Sequence, residues 1–124
     1  MGKKDVAIVW MNKPEDHDYA AAQSYLCLIF DEPAARNYVQ QLTAAPLSQF
    51  KAKDIFRASG LSLLGVSNSH VQKDLDKITA KEALSPLLLV RDVHSRNLII
   101  ADGYHRLCAI YTIEEDAVIA CKIV

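Results

Sequence analysis

No stretch of this 124-residue chain reaches the roughly 18 consecutive apolar residues that a bilayer-spanning helix needs. Met1–Asp5 runs straight into a short strand-like segment, not into the apolar core of a secretory signal. These absences lead us to expect a cytoplasmic chain with no membrane partner. Charge of one sign is lacking as well. Lys and Arg number 14 against 15 Asp and Glu, a net charge of -1, so there is no general field for gripping nucleic acid and any phosphate chemistry has to be local. Only residues 47–77 are basic, with 5 cations against 3 acids. Cysteine is sparse: Cys27, Cys108 and Cys121 are odd in number, widely spaced and set among apolar neighbours. That excludes zinc-site spacing and predicts buried, reduced thiols. Repeats, low-complexity tracts and linkers are missing too, so residues 1–124 read as one domain.

What is present is an ordinary globular composition, 51% apolar and 23% charged. Val6–Trp10 reads as a first strand, stopped by Asn12–Pro14. Tyr19, Ala22, Leu26 and Ile29 recur at helical spacing and predict a helix over 15–30. Its opening, Glu15-Asp16-His17-Asp18-Tyr19, is either a solvated helix start favoured by the dipole or a group that reaches a site. Asp31 is placed as the N-cap of a second helix with Pro33 just inside it. Ser48 is placed to cap a third helix, through Phe50 and Ile55 to a stop at Gly60. Arg57 and its charged neighbours on that helix suit its wet side.

Ser69-His70-Val71-Gln72 has the form of a capping box. In the helix it opens, Val71, Leu75 and Ile78 form the core stripe, while His70, Lys73 and Lys77 share a second face. That face is either a solvated basic surface or three cations turned to an anion. Pro86 opens a strand over 87–90, a polar turn comes next, and a second strand covers 98–101. Their nearly continuous apolar character predicts burial on both faces. After them comes Asp102-Gly103-Tyr104-His105-Arg106, then a helix, a loop at 114–116 and a strand over 117–124. A helix start carries unpartnered N–H groups and partial positive charge, so it favours anions. Gly103 permits close approach there, and His105 and Arg106 add donors. Asp102 is read either as a base or Mg²⁺ ligand, or as a turn residue bonding its own backbone.

Residues 68–124, with their "PLLLV" strand, "DGYHR" turn and final "CKIV" strand, resemble the nucleotide-binding core shared by sulfiredoxins, ParB N-terminal domains and free-serine kinases. The resemblance implies a single compact α/β domain with a small mixed sheet and packed helices. Residues 1–60 match nothing in that superfamily and stand as a helical N-terminal part. "HVQKDLDKI" is similar to the sulfiredoxin helix that touches nucleotide, which places His70, Lys73 and Lys77 at its contact positions. Sulfiredoxins also carry a phosphate-contacting Arg upstream, and Arg57 lies at a comparable but not identical distance. Tyr104 stands where sulfiredoxins hold their nucleophilic cysteine, and a phenol cannot replace a thiolate in sulfinate repair. ParB proteins continue into a helix-turn-helix, so no direct sequence-specific DNA binding is expected of this chain. The serine-kinase turn, Asp-Gly-His-His-Arg, differs from residues 102–106 only at Tyr104.

The resemblance therefore implies that ATP, or another nucleoside di- or triphosphate, binds at Gly103, Tyr104, His105 and Arg106, with His70, Lys73, Lys77 and Arg57 around it. A phosphotransferase with a small-molecule acceptor, or a nucleotidase, would use Asp102 and His105 catalytically and hold Mg²⁺ on Asp102. The alternative is a nucleotide-sensing or protein-interaction module without turnover. Oligomeric state is not legible.

Overall fold

Successive residues of an extended strand point to opposite faces, yet Leu87, Leu88, Leu89 and Val90 are all fully buried. Such a strand has to lie between two layers. In the computed structural model, which describes residues 7–65 and 67–124, it does. Leu88 and Val90 pack with Ala22, Leu26, Ala35 and Leu42. Leu87 and Leu89 pack on the other side with Ile55, Val71, Ile78 and Leu107. Each leucine taken fully out of water contributes about 1.5–3 kcal/mol.

The first layer is made of α1 (Asp16–Leu26) and α2 (Glu32–Ala44), and the second of α3 (Ala52–Ser59), α4 (Ser69–Thr79) and α5 (Tyr104–Ile113). Between them the strands β1 (Ser48–Lys51), β2 (Leu87–Asp92), β3 (Asn97–Asp102) and β4 (Val118–Ile123) form a mixed sheet in the order β1-β4-β2-β3. β2 and β3 are an antiparallel hairpin, β4 runs parallel to β2, and β1 closes antiparallel on β4. The described residues thus make one small α/β domain, as the sequence led us to expect. No helix among them is long and apolar enough to cross a membrane.

Local chemistry explains most boundaries. Asp31 accepts the Ala34 N–H at 2.9 Å, with Pro33 in the first turn of α2. Gly60 ends α3 in a left-handed conformation at φ 69°.

Four expectations need correction. Val6 lies outside the described residues, and residues 7–10 are not a regular strand: Trp10 makes a single parallel bridge to Leu84. The pairing goes no further because Pro86 has no N–H to offer. Ser48 caps no helix; residues 48–51 are β1, paired with β4, and α3 starts only at Ala52. Its first amides are satisfied by the loop before β4, Ala52 N–H to the Ala117 carbonyl and Lys53 N–H to the Glu115 carbonyl, each at 2.9 Å. The cap of α4 is Asn68, not Ser69; its side chain accepts from the His70 and Val71 amides. Cys27, at the end of α1, is exposed, whereas Cys108 and Cys121 are buried.

Candidate functional site

The site begins with a close approach. Gly103 precedes α5 with φ 107°, and a Cβ there would lie 2.6 Å from Leu87 Cγ and 3.0 Å from Arg106 Nη2. Glycine is therefore required both by the backbone angle and by the space. No side chain caps the helix at this end, although α2 and α4 are capped by Asp31 and Asn68. The start of α5 borders a cavity of about 190 Å³ lined by His70, Lys73, Asp74, Asp102, Gly103, His105 and Arg106.

Packing of α4 against α5 assembles these groups. His70 and His105 bring their rings to 4.9 Å between centroids. Burial holds the His105 imidazole below the ordinary histidine value, and His70 lowers it further while Asp74 opposes. Burial likewise raises the Asp74 carboxyl, against the pull of Arg106, Lys77 and both histidines. Arg106 donates through Nη2 to Asp102 Oδ2 at 2.9 Å, and both side chains are 17% exposed. Its Nε is buried with no hydrogen-bond partner. The guanidinium is thus engaged through Nη2 and unpartnered at Nε.

Behind Asp102 is a second carboxylate. Asp18, 2% exposed, accepts the Ser85 hydroxyl and the Glu15 N–H at 3.0 Å. It lies close enough to Asp102 to raise that group, after burial itself and in opposition to Arg106. A neighbouring carboxylate of the same sign disfavours the charged form of Asp102, in the same direction as its burial. The acidic opening of α1 therefore does reach the site. Its signal was present in the sequence: Asp18 lies four and eight residues before the buried Ala22 and Leu26, in phase with the core stripe. Asp74 had a signal too, four residues after His70 on the same helical face.

Of the residues singled out from sequence, the structure gathers His70, Lys73, Asp102, Gly103, His105 and Arg106 around one cavity. Three others stand apart. The Tyr104 hydroxyl donates to the Ser62 carbonyl, so the phenol anchors the connector before α4 and does not line the cavity. Lys77 acts on Asp74 by charge alone. Arg57 is 84% exposed and paired with Asp54 at 3.2 Å, because the turn of α3 that carries it faces solvent.

Among the described residues, one group offers three metal-ligating side chains within 4.8 Å, namely Glu15, His17 and Asp18. Asp102 is not part of it, and the capping box formed by Glu15 and Asp18 already accounts for their closeness. A larger cavity, about 440 Å³, lies beside the β2–β3 hairpin and contains none of these residues. Comparison with family models, with curated proteins and with solved structures gives no match to this chain.

Proposed function

We propose that the cavity at the start of α5 binds the phosphates of a nucleoside di- or triphosphate such as ATP, and that the chain is a small-molecule phosphotransferase or nucleotide hydrolase of the cytoplasm. The observation that supports this best is the convergence of His70 and Lys73 from α4 on Gly103, His105 and Arg106 of the α5 turn. Arg106 borders the same space, and a guanidinium is a natural partner for phosphate oxygens. A volume near 190 Å³ is smaller than a whole-nucleotide site, so the cavity itself is assigned to the phosphates. The resemblance of "DGYHR" to the free-serine kinase turn points the same way. Three unpaired thiols suit a reducing compartment.

The charges inside the cavity nearly cancel, Lys73 and Arg106 against Asp74 and Asp102. A bare polyanion is poorly matched to that balance, and a nucleotide carrying Mg²⁺ is better matched. Asp74 and Asp102 are hard oxygen ligands of the kind that hold Mg²⁺ with its retained waters. When bound, the ion would neutralise charge on the phosphates. In transfer, an acceptor hydroxyl or water attacks the terminal phosphorus, the bridging P–O bond breaks, and the shortened nucleotide leaves. Asp102 or His105 takes the acceptor proton.

A second reading, sensing without turnover, has its own support: Asp102 is already paired with Arg106, which occupies an oxygen that a general base would use. The test is thermal unfolding with ATP, ADP or CTP and Mg²⁺, followed by phosphate release with and without small hydroxyl acceptors. Ligand at 100 times its Kd stabilises by about 2.7 kcal/mol. Arg106→Gln and Lys73→Ala should each abolish the shift. An unchanged shift in both removes the cavity from the binding site, and a shift without turnover selects the sensor.

A further inference from the structure

The layer on the α3 side does not cover the sheet completely. Helix α3 is eight residues long, about 12 Å, and it packs on β3 but leaves a groove beside the β2–β3 turn. The uncovered end is the cavity of about 440 Å³, lined by Phe50, Ile55, Leu89, Leu98 and Ile123. That volume is in the range of sites for small organic ligands.

Two acids and two arginines stand around this apolar floor, and they differ in how they are engaged. Asp54 accepts from Arg57 at 3.2 Å. Asp92 accepts the Ser95 hydroxyl at 2.7 Å and the His94 N–H at 3.2 Å, and these bonds, the Ser95 hydroxyl foremost, hold its carboxyl below the usual range. Both acids are thus occupied locally. Arg91 and Arg96 also line the cavity, and among the described residues neither guanidinium has an ion pair or side-chain hydrogen bond. The hairpin turn places both on this cavity: Arg96 N–H donates to the Asp92 carbonyl at 2.8 Å, with Arg96 in the left-handed region at φ 63°. Two unpartnered guanidiniums beside an apolar floor complement an anion with an apolar body.

We propose that this groove binds a medium-chain aliphatic carboxylate, its chain over Leu89, Leu98 and Ile123 and its carboxylate on Arg91 and Arg96. The site is separate from the phosphate cavity and shares no lining residue with it. Calorimetric titration of the full chain with hexanoate, octanoate and decanoate, below their micelle concentrations, tests it. Affinity should rise by up to about fourfold for each added methylene. The Arg91→Gln/Arg96→Gln variant should weaken decanoate by about tenfold or more, while decanol, which lacks the charge, should bind wild type and variant alike. Ala58→Trp, at an exposed α3 position beside the groove, should block both ligands without lowering the unfolding temperature. Decanoate binding that ignores both substitutions, or no decanoate binding by wild type, overturns the proposal. So does a groove that is closed by self-association, or one that takes phosphatidylglycerol vesicles in place of the free acid.

Discussion

Replacing Gly103 by alanine probes the closest packing at the candidate site. Two costs are expected. A residue with a Cβ held at φ 107° is strained by about 1–2 kcal/mol. The new methyl would also meet Leu87 Cγ at 2.6 Å and Cδ1 at 3.1 Å. Leu87 is fully buried between β2 and the α5 layer, so it cannot swing clear, and overpacking of this kind costs about 1–3 kcal/mol. Alanine's smaller unfolded-state entropy returns only about 0.4–1 kcal/mol. The net loss is about 1–4.5 kcal/mol, which for a domain of this size lowers Tm by about 4–20 °C. Gly60→Ala is the control. Its φ is 69° and nothing lies within 4 Å of the new Cβ, so only the backbone term acts, about 1 kcal/mol. Differential scanning calorimetry of both variants separates strain from steric conflict. In a Leu87→Ala background, which removes the Cγ, the Gly103→Ala penalty should shrink by about 1–3 kcal/mol. Equal Tm losses for the two glycines, or no coupling to Leu87, would refute the close approach.

Affinity for the metal-free nucleotide should rise as pH falls below neutrality. His105 is held below the ordinary histidine value by burial and gains its charge only on acidification, adding a cation to the cavity. Titrations of wild type and His105→Gln at several pH values check this, and an affinity that falls on acidification contradicts it. Asp18→Asn should raise stability at neutral pH relative to wild type but not at acid pH. The sign comes from Asp102: its raised carboxyl contributes stability that is present at low pH and lost as pH rises through its folded value, and Asp18 is part of the cause. Asp18→Leu should instead cost about 2–4 kcal/mol, since the Ser85 hydroxyl and Glu15 N–H lose their acceptor. Denaturant melts at two pH values distinguish the variants. An aromatic disulfide reagent should label native protein once per chain, at Cys27, because Cys108 and Cys121 are buried and the Cys121 thiol is pushed up to about 11. Labelling that persists in Cys27→Ser would be the contrary result.

The elements that could be read from sequence were those whose cause is local. Asp31 caps, Gly60 stops, and the apolar run at 87–90 announces burial on both faces without help from distant residues. What was misread depends on partners far along the chain. Residues 48–51 carry a helix-like pattern, yet they pair with β4 some 70 positions on, and that tertiary pairing overrides local preference. Ser69 and Asn68 are both good caps, and only the bond geometry separates them. At the site, the α5 turn and the α4 face were legible because each is one helical segment. The Asp18–Asp102 contact joins the first helix to the third strand, and only its phase with Ala22 and Leu26 hinted at burial.

The placement of β4 in the middle of the sheet sets an order of assembly. β1 and β2 have no direct ladder; each is joined to the other only through β4, which comes after both by dozens of residues. A chain emerging from the ribosome can make its helices and the β2–β3 hairpin early, but two open strand edges must wait for the segment that zips them together. That makes closure a long-loop event and a slow one. During the wait those edges are templates for any extended peptide nearby, so nascent molecules stalled before Val118 are the form of this protein most in need of a chaperone.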